Sequence, residues 1–329
     1  MVRNSLPFVS FIIPVYNAEK YIESCLRTIF SQKYPREKME VLVVDGGSTD
    51  DTKKIAKEFP IVLIHNKNRI AEDGLSVGIR KSKGEILVFM GADQELATKD
   101  WLEKMIEPVL ENVDIFGVRS LWLARKGDSI ANRYCLYLQI ADPFARALDG
   151  KVSTIKTFKN YLIRSIDVND QPIIGCDMIW RKDVILKIGN FIPRFEEANM
   201  ISNAVKKGYT KYAEVPSARM YHSYVKGIGS FIMKRLKNAN RFLESLNSSN
   251  FVWTQTKSRR KFLLSLLFCA SFILPTIESI KEYKETGDVA WFLHPFLSFL
   301  TVNIYALSLW IYIGKHPNKL GLLKKIVRI

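Results

Sequence analysis

The sequence predicts an α/β fold on a Rossmann-like sheet, and three observations predict it. Short apolar runs alternate with helix-period segments four times in about ninety residues, which argues parallel strands with right-handed crossovers. The runs Phe8–Tyr16, Met39–Val44 and Ile61–His65 read as strands, and Ile86–Met90 with Gly91 is too short for a helix and suits a strand buried on both faces. Two of them lead directly into a carboxylate, Asp45 and Asp93. That places both acids at the carboxyl edge of the sheet, where open α/β sheets bind ligands.

Phe8–Tyr16 (FVSFIIPVY) reads as a strand ending at Pro14. Asn17 is an expected N-cap for a helix whose apolar stripe is Ile22, Cys25, Leu26, Ile29 and Phe30. Met39–Val44 is the second strand, and Asp45-Gly46-Gly47 makes a turn. Ser48 and Asp51 have capping-box spacing ahead of a helix to about Phe59. Ile61–His65 is a third strand, Glu72–Lys81 a helix, and Gly84 breaks the chain before EILVFMGADQE, residues 85–95. Trp101–Leu110 reads as a helix and Asp114–Trp122 as a strand, whereas Ala124–Tyr161 mixes basic and aromatic residues without a clear period. Ile173–Trp180 returns to the sheet, and Lys182–Ile188 is a helix stopped by Gly189. Glu197–Lys207 is a helix closed by Gly208, followed by two short strands, Tyr212–Val215 and Ala218–His222.

The last third of the chain has another character. Gly229–Leu246 sets Phe231, Ile232, Leu236, Phe242, Leu243 and Leu246 against Lys234, Arg235, Lys237 and Arg241. This basic amphipathic helix suits a membrane surface; a solvated helix packed on the domain is the plainer reading. Phe262–Ile277 and Val289–Gly314 are apolar, and the second exceeds the ~20 residues that cross a bilayer. Between them Glu278–Asp288 is acidic. Positive charge precedes the first stretch and follows the second, so the positive-inside rule puts both termini in the cytoplasm. Two buried core helices are the alternative. Asn318–Ile329 reads as a basic segment on the same surface.

The formal charge is +16, and its placement is informative. Lys226–Phe262 carries nine Lys/Arg against one acid, and the residues from Gly314 onward carry five against none. Charge flanking apolar stretches fits an anionic membrane, and no nucleic-acid-reading motif is present. Cys25, Cys135, Cys176 and Cys269 lie far apart without a CxxC pair, which indicates neither a disulfide framework nor a zinc site. No charged-then-apolar leader opens the sequence, so the first 250 or so residues are expected in the cytoplasm. The domains expected are 1–225 as a cytoplasmic α/β domain, 226–261 as an interface region and 262–329 as a membrane domain with a basic tail.

Individually the acids are ambiguous. An Asp ending a strand also serves as a turn or cap residue, which holds for Asp93 and Asp45. Asp50 and Asp51 suit a helix start. Glu196 and Glu197, after a turn and before a helix, suit either a base or a cap.

Their order and spacing are more specific. Pro14-Val15-Tyr16-Asn17, Val43-Val44-Asp45-Gly46-Gly47-Ser48-Thr49-Asp50-Asp51-Thr52 and Lys83-Gly84-Glu85-Ile86 resemble the opening of family 2 glycosyltransferases with the GT-A fold. Gly189-Asn190-Phe191, Glu196-Glu197, Gly208-Tyr209 and Pro216–His222 resemble that family's GGF…ED…GY…PxAxxxH series. The resemblance covers about residues 8–245. It implies a nucleotide-binding mixed sheet flanked by helices, a nucleotide-sugar donor, and Mn²⁺ or Mg²⁺. It implies that Pro14, Tyr16, Asn17, Asp45, Gly91 and Ala92 meet the nucleotide and that Asp93 is the second aspartate of the metal-binding DxD element. It implies that Glu197, with Glu196 beside it, is the general base, and that His222 is a metal or phosphate contact. Two positions depart from the pattern: Gly91 stands where the first DxD aspartate would, with water or Gln94 as replacement, and Glu stands for Asp at the base. The C-terminal part resembles a reduced cellulose-synthase-like arrangement of GT-A domain, interface helix and about two transmembrane helices. There Lys234, Arg235 and Arg241 are assigned to lipid phosphate or donor diphosphate, a purely interfacial Arg241 being the other reading.

The expected activity is inverting transfer of a hexose to a hydroxyl of a lipid-linked saccharide at the cytoplasmic face of a membrane. Resemblance to archaeal and dolichol-linked mannosyltransferases favours GDP-mannose as donor, with a UDP-sugar as the alternative. A polyprenyl-phosphate sugar synthase is the second enzymatic reading, and a non-catalytic nucleotide-binding scaffold the third.

Overall fold

The computed structural model describes residues 6–174, 178–245 and 258–317. They form two compact units. The first comprises Met1–Leu123, Val152–Ile166 and Ile174–His222, the second Ala124–Lys151, Asp167–Ile173 and Ser223–Ile329.

The first unit is a ten-stranded mixed sheet with helices on both faces. β1 (Val9–Val15), β2 (Met39–Asp45), β3 (Val62–His65) and β4 (Ile86–Phe89) are parallel in the order β3-β2-β1-β4, as the alternating pattern predicts. Beyond β4 the order continues β9-β6-β10-β8-β7, with β5 (Gln94–Leu96) pairing β10. These strands are β6 (Gly117–Leu123), β7 (Val152–Thr157), β8 (Leu162–Ile166), β9 (Met178–Arg181) and β10 (Lys211–His222). β9 runs antiparallel to both β4 and β6, and β10 runs parallel to β6. β4, β6 and β10 therefore share one direction, and their carboxyl ends lie on one edge.

Side chains of period two divide between two cores. Val9, Phe11, Ile13, Val88 and Met90 face α1 (Ile22–Phe30), α2 (Thr52–Ala56) and α4 (Trp101–Glu111). Ile12, Leu87 and Phe89 face α3 (Ala71–Lys81), α7 (Lys182–Ile188) and α8 (Glu197–Lys206). A Cβ on Gly78 would stand 2.2 Å from Ile12 Cγ2, so only glycine lets α3 lie this close to β1.

Several expectations are corrected here. The two strands foreseen at 212–222 are one, β10, whose pairing with β6 shifts register between Glu214 and Arg219. Asn17 does not cap α1, whose N-cap is Tyr21; Asn17 takes a left-handed φ of 49° and turns its side chain elsewhere. Ala124–Tyr161 contains α5 (Ile130–Tyr137), α6 (Pro143–Leu148) and β7.

The second unit is helical. α9 (Ile228–Ser245) packs along α12 (His294–Lys315). Its buried stripe is Phe231, Arg235, Ala239 and Leu243, at i,i+4 spacing, so the inward face is rotated from the one read in the sequence. Arg235 is 1% exposed: its guanidinium bonds Asp142 and donates to Tyr224 Oη at 2.7 Å. Burial and the contacts with Asp142 and Tyr224 thus turn the Arg235 guanidinium inward, away from the lipid-phosphate position expected for it. Burial opposes its charge, but Asp142 and the tyrosines around it outweigh that and raise its pKa.

The apolar stretch 262–277 is not one helix. α10 (Arg259–Ala270) and α11 (Ile273–Thr286) meet at a 78° bend, where Phe272 has φ 56°. Glu278 and Glu282, in the acidic segment between the two apolar stretches, are helical. Val289–Lys315, a 3₁₀ turn running into α12, is long and apolar enough to cross a membrane. Leu246, Cys176 and the tail 318–329 lie outside the described residues.

Candidate active site

The carboxyl edge of the first unit collects most of the residues singled out by sequence. Val15 at the end of β1 is paired with Asp45 at the end of β2. Asp45 is 4% exposed, and its carboxylate accepts N–H bonds from Gly47 at 3.0 Å and Ser48 at 3.1 Å. The turn reading and the site reading of Asp45 are thus compatible: two backbone donors fix a carboxylate at the edge, and each oxygen retains acceptor capacity.

The loop after β1 and the loop after β2 are laced together. The Asn17 N–H donates to Ser48 Oγ at 2.9 Å, and Thr49 N–H donates to Asn17 Oδ1 at 2.9 Å. Ala18 N–H donates to Thr52 Oγ1 at 2.7 Å, and Glu19 N–H to Asp50 Oδ2 at 3.1 Å. Ser48 therefore accepts from Asn17 rather than capping α2. Partial desolvation pulls the Asp50 carboxyl upward; hydrogen bonds from Thr52 and from the Glu19 N–H outweigh it and leave the pKa below the ordinary value. The run Ser48–Thr52 is thus the lace that holds Tyr16, 44% exposed, at the edge.

Arg69 was missed by the sequence reading. It follows β3 on the same edge with φ 55°, and its guanidinium lies 5.4 Å from the Tyr16 ring centroid. A basic residue in a loop that leaves the carboxyl end of a parallel strand was the available signal.

Asp93 lies in the turn between β4 and β5. Its Oδ1 is 3.4 Å from His222 Nε2, at the end of β10, and the Trp122 ring meets the His222 ring edge-on at 5.2 Å. Gly91 N–H donates to Gln94 Oε1 at 2.8 Å, which fixes the Gln94 amide oxygen in the turn beside Asp93. A Cβ on Gly91 would stand 2.6 Å from Asp93 Oδ1. The Asp93 carboxylate thus occupies the space that a side chain at position 91 would need. Cys25 lies beneath the turn, with its Sγ 3.7 Å from the Gly91 carbonyl; burial first, then the charges of Asp93 and Glu95, raise its thiol pKa.

One carboxylate and one imidazole fit Mn²⁺ better than Mg²⁺, which prefers oxygen throughout. Among the described residues no group of three or more His, Cys, Asp or Glu forms a self-sufficient metal cage. Two such ligands would leave most coordination positions to other oxygens, as would suit a cation shared with a diphosphate.

The two glutamates have different surroundings. Glu197, the first residue of α8, is 5% exposed, and its Oε1 accepts from Trp180 Nε1 at 2.9 Å. Glu196 is half-buried, and its Oε2 accepts from Asn199 Nδ2 at 2.6 Å. In the second unit Lys234 Nζ sits 3.6 Å from the Tyr224 ring centroid, and Arg241 is exposed.

Residues 10–165 match the family described as Glycosyl transferase family 2. Glycosyltransferase AglE of Haloferax volcanii is 34% identical over 187 residues, 51% of this chain and 61% of that one. A dolichyl N-acetyl-alpha-D-glucosaminyl phosphate diacetamido-dideoxy-glucuronosyltransferase of Methanococcus voltae is 36% identical over 107 residues, 30% of this chain and 33% of its own. The chain thus spans less than two thirds of either relative. Among solved structures, mannosyltransferase PcManGT of Pyrobaculum calidifontis, in complex with GDP-Man and Mn²⁺, superposes with a TM-score of 0.56 at 17% identity, covering 93% of this chain and 88% of that one. S. aureus TarS with UDP-GlcNAc gives 0.51 at 14% identity, covering 93% and 92%. At these identities the likeness shows a shared GT-A-like fold.

Proposed function

We propose that this chain is an inverting, metal-dependent glycosyltransferase that moves a hexose, mannose favoured, from a nucleotide sugar to a hydroxyl of a dolichyl- or polyprenyl-phosphate-linked saccharide. One observation carries the reading: Asp45, Tyr16 and Asn17 gather on the same sheet edge as the Asp93–His222 pair. That edge offers a fixed carboxylate for base recognition and an oxygen–nitrogen pair for a cation.

In this reading Asp45 accepts from the nucleobase, Tyr16 and Arg69 flank it, and Pro14, Asn17, Gly91 and Ala92 shape the pocket wall. Asp93 and His222 hold Mn²⁺ or Mg²⁺, which neutralises the leaving diphosphate when bound. Glu197 takes the acceptor hydroxyl proton as the C1–oxygen bond forms and the bond to the diphosphate breaks; Glu196 is the alternative base. A base is needed because a sugar hydroxyl is a weak nucleophile, whereas a lipid phosphate is already an anion. GDP-mannose is the first donor choice and a UDP-sugar the second. The acceptor choice is supported by the dolichyl-phosphate-linked sugar in the name of the Methanococcus relative. Lys234 and Arg241 are placed at the lipid phosphate. The catalytic unit and both termini face the cytoplasm, with the helical unit at the membrane.

Purified protein, a nucleotide-sugar panel and two acceptors test this. Transfer to a lipid-linked saccharide, lost in Glu197→Gln and in EDTA, is expected. Activity confined to bare polyprenyl phosphate and kept in Glu197→Gln establishes the synthase reading instead. Donor binding without turnover on any acceptor establishes the scaffold.

A further inference from the structure

The helical unit contains a topological constraint. α10 and α11 have 12 and 14 residues, about 18 and 21 Å, and each falls short of the ~30 Å hydrocarbon core. A pair bent by 78° crosses only if its far end emerges on the other side. That far end is tied down. Arg133 in α5 forms a two-point ion pair with Asp288 at 2.9 and 3.2 Å, and Tyr137 donates to the same carboxylate at 2.8 Å. Arg146 in α6 bonds Glu278 at 2.8 Å and Glu282 at 2.9 Å.

The near end is tied to the same segment. Lys261 bonds Asp170 at 2.6 Å and the Asp149 carbonyl, Ser265 Oγ donates to the Ala147 carbonyl at 2.8 Å, and Cys269 Sγ faces the Pro143 carbonyl. α10 therefore runs antiparallel to α6, with Ser265 and Cys269 beside it and Lys261 just past its end. Segment 124–151 joins strands β6 and β7 of the sheet in sequence, and its helices of 8 and 6 residues cannot cross a bilayer. Both ends of the α10–α11 pair thus lie on the side of that segment.

α12 is constrained in turn. His294 at its start, wholly buried, bonds Tyr134 at 2.8 Å. Tyr305, about 16 Å further along, bonds Asp142, which also pairs with Arg235. A crossing α12 would carry this ion pair deep into hydrocarbon, which is costly. The ten residues from Ala306 to Lys315 reach only about 15 Å.

The outward faces of the same helices are apolar. Leu264, Leu267, Ile273, Ile277, Phe296 and Trp310 are between 55% and 75% exposed, beside exposed Arg259 and Arg260 where α10 begins. More than half of the exposed large apolar side chains among the described residues lie in 263–311. A basic rim beside an apolar face fits an anionic leaflet.

We propose that α10, α11 and α12 enter one leaflet of an anionic bilayer from the cytoplasmic side and return, so that no helix of this chain crosses it. This rests on the membrane reading above. It keeps both termini on one face but replaces two crossings with none. The Arg133–Asp288 and Arg146–Glu278/Glu282 pairs are the pins that hold the re-entrant pair down.

The test uses the full chain in cells with a membrane-impermeant maleimide, applied before and after permeabilisation. Native Cys25, Cys135 and Cys269 are buried, and each variant is read against the parent. Glu58→Cys on the catalytic unit is the reference, with Glu285→Cys at the end of α11 and Lys315→Cys at the end of α12. All three are expected to react only after permeabilisation. Reaction of Glu285→Cys in intact cells restores the two-crossing arrangement, and reaction of Lys315→Cys alone establishes one crossing at α12; either overturns the proposal. A charge exchange supplies a second readout. Arg133→Asp and Asp288→Arg are each expected to lower membrane-bound yield several-fold, and the double exchange to restore it. Parent-like yield in both single exchanges overturns the pinning. Separately, failure to sediment with phosphatidylglycerol vesicles, with a dimer in solution, shows that a second copy covers the apolar face and overturns the membrane reading itself.

Discussion

Gly91→Ala probes the proposed metal corner most directly. The added Cβ would sit 2.6 Å from Asp93 Oδ1, whereas ordinary contact begins near 3.4 Å, so the carboxylate must retreat by about 0.8 Å. It is the far end of a flexible side chain, and Gly91 does not have a positive φ, so the move costs little folding stability. Metal bonds tolerate only about ±0.2 Å, and 0.8 Å exceeds that severalfold. Loss of support at a metal ligand typically costs about 10- to 100-fold in affinity, or ~1.4–2.7 kcal/mol. The Mn²⁺ concentration for half-maximal turnover should therefore rise at least tenfold in Gly91→Ala, with the melting temperature nearly unchanged. Mn²⁺ titration of turnover, with the electron paramagnetic resonance of free Mn²⁺ as a direct binding readout, measures this. An unchanged metal half-saturation in a folded variant would refute the reasoning that Asp93 needs an empty position 91 to reach its metal.

Three further outcomes are expected. Glu197→Gln should lower kcat by about 10²- to 10⁴-fold, the usual worth of a general base, and Glu196→Gln by less than tenfold; the reverse order, read in the same transfer assay, moves the base to Glu196. Arg235→Ala strands Asp142 beside a buried surface and should cost about 3–5 kcal/mol, seen as a lower denaturant midpoint, whereas a change in lipid binding alone would return Arg235 to the interface. The depressed Asp50 pKa means that its contribution to stability is complete above the ordinary carboxylate value of 3.8 and is lost as pH falls through its lower folded value. Melting temperature between pH 2.5 and 6 should therefore fall less steeply in Asp50→Asn than in the parent, and parallel curves would exclude the lace as an acid-labile element.

The legible parts of the chain were those fixed by local pattern. The four parallel strands, α3, α7 and α8 followed from period and from Gly189 and Gly208, because burial on a sheet imposes a repeat that the sequence displays. Asp45 and Asp93 were found because strand ends in such a fold share an edge. What stayed hidden depends on partners far along the chain. Arg235 looked like a surface cation because its counter-ion, Asp142, is 93 residues away. The break at Phe272 had a local signal in Pro275, which has no N–H to continue the helix back to Ser271; the pins from Arg133 and Arg146, whose acidic partners lie 132 to 155 residues further along the chain, gave none. Arg69 gave no signal of its left-handed backbone, whereas Asn17, of a type that tolerates φ > 0, did and was read as a cap.

The substitution of Glu for Asp at the proposed base acquires a physical account from Trp180. One extra methylene lengthens the side chain and adds rotamers that must be frozen for proton transfer. Trp180 is fully buried, with Phe116 at 5.0 Å and Phe195 at 6.2 Å between ring centroids, so its indole cannot swing. Its Nε1–H therefore holds one oxygen of Glu197 at a set point on the strand beside β4. A hydrogen bond to a charged acceptor is worth about 1.5–3 kcal/mol, enough to select one rotamer of a three-bond side chain. An aspartate at position 197, one methylene shorter, would fall short of the indole and leave a buried N–H unsatisfied. The longer base and the tryptophan are thus one device, and Glu197→Asp should lose more activity here than the conservative change suggests.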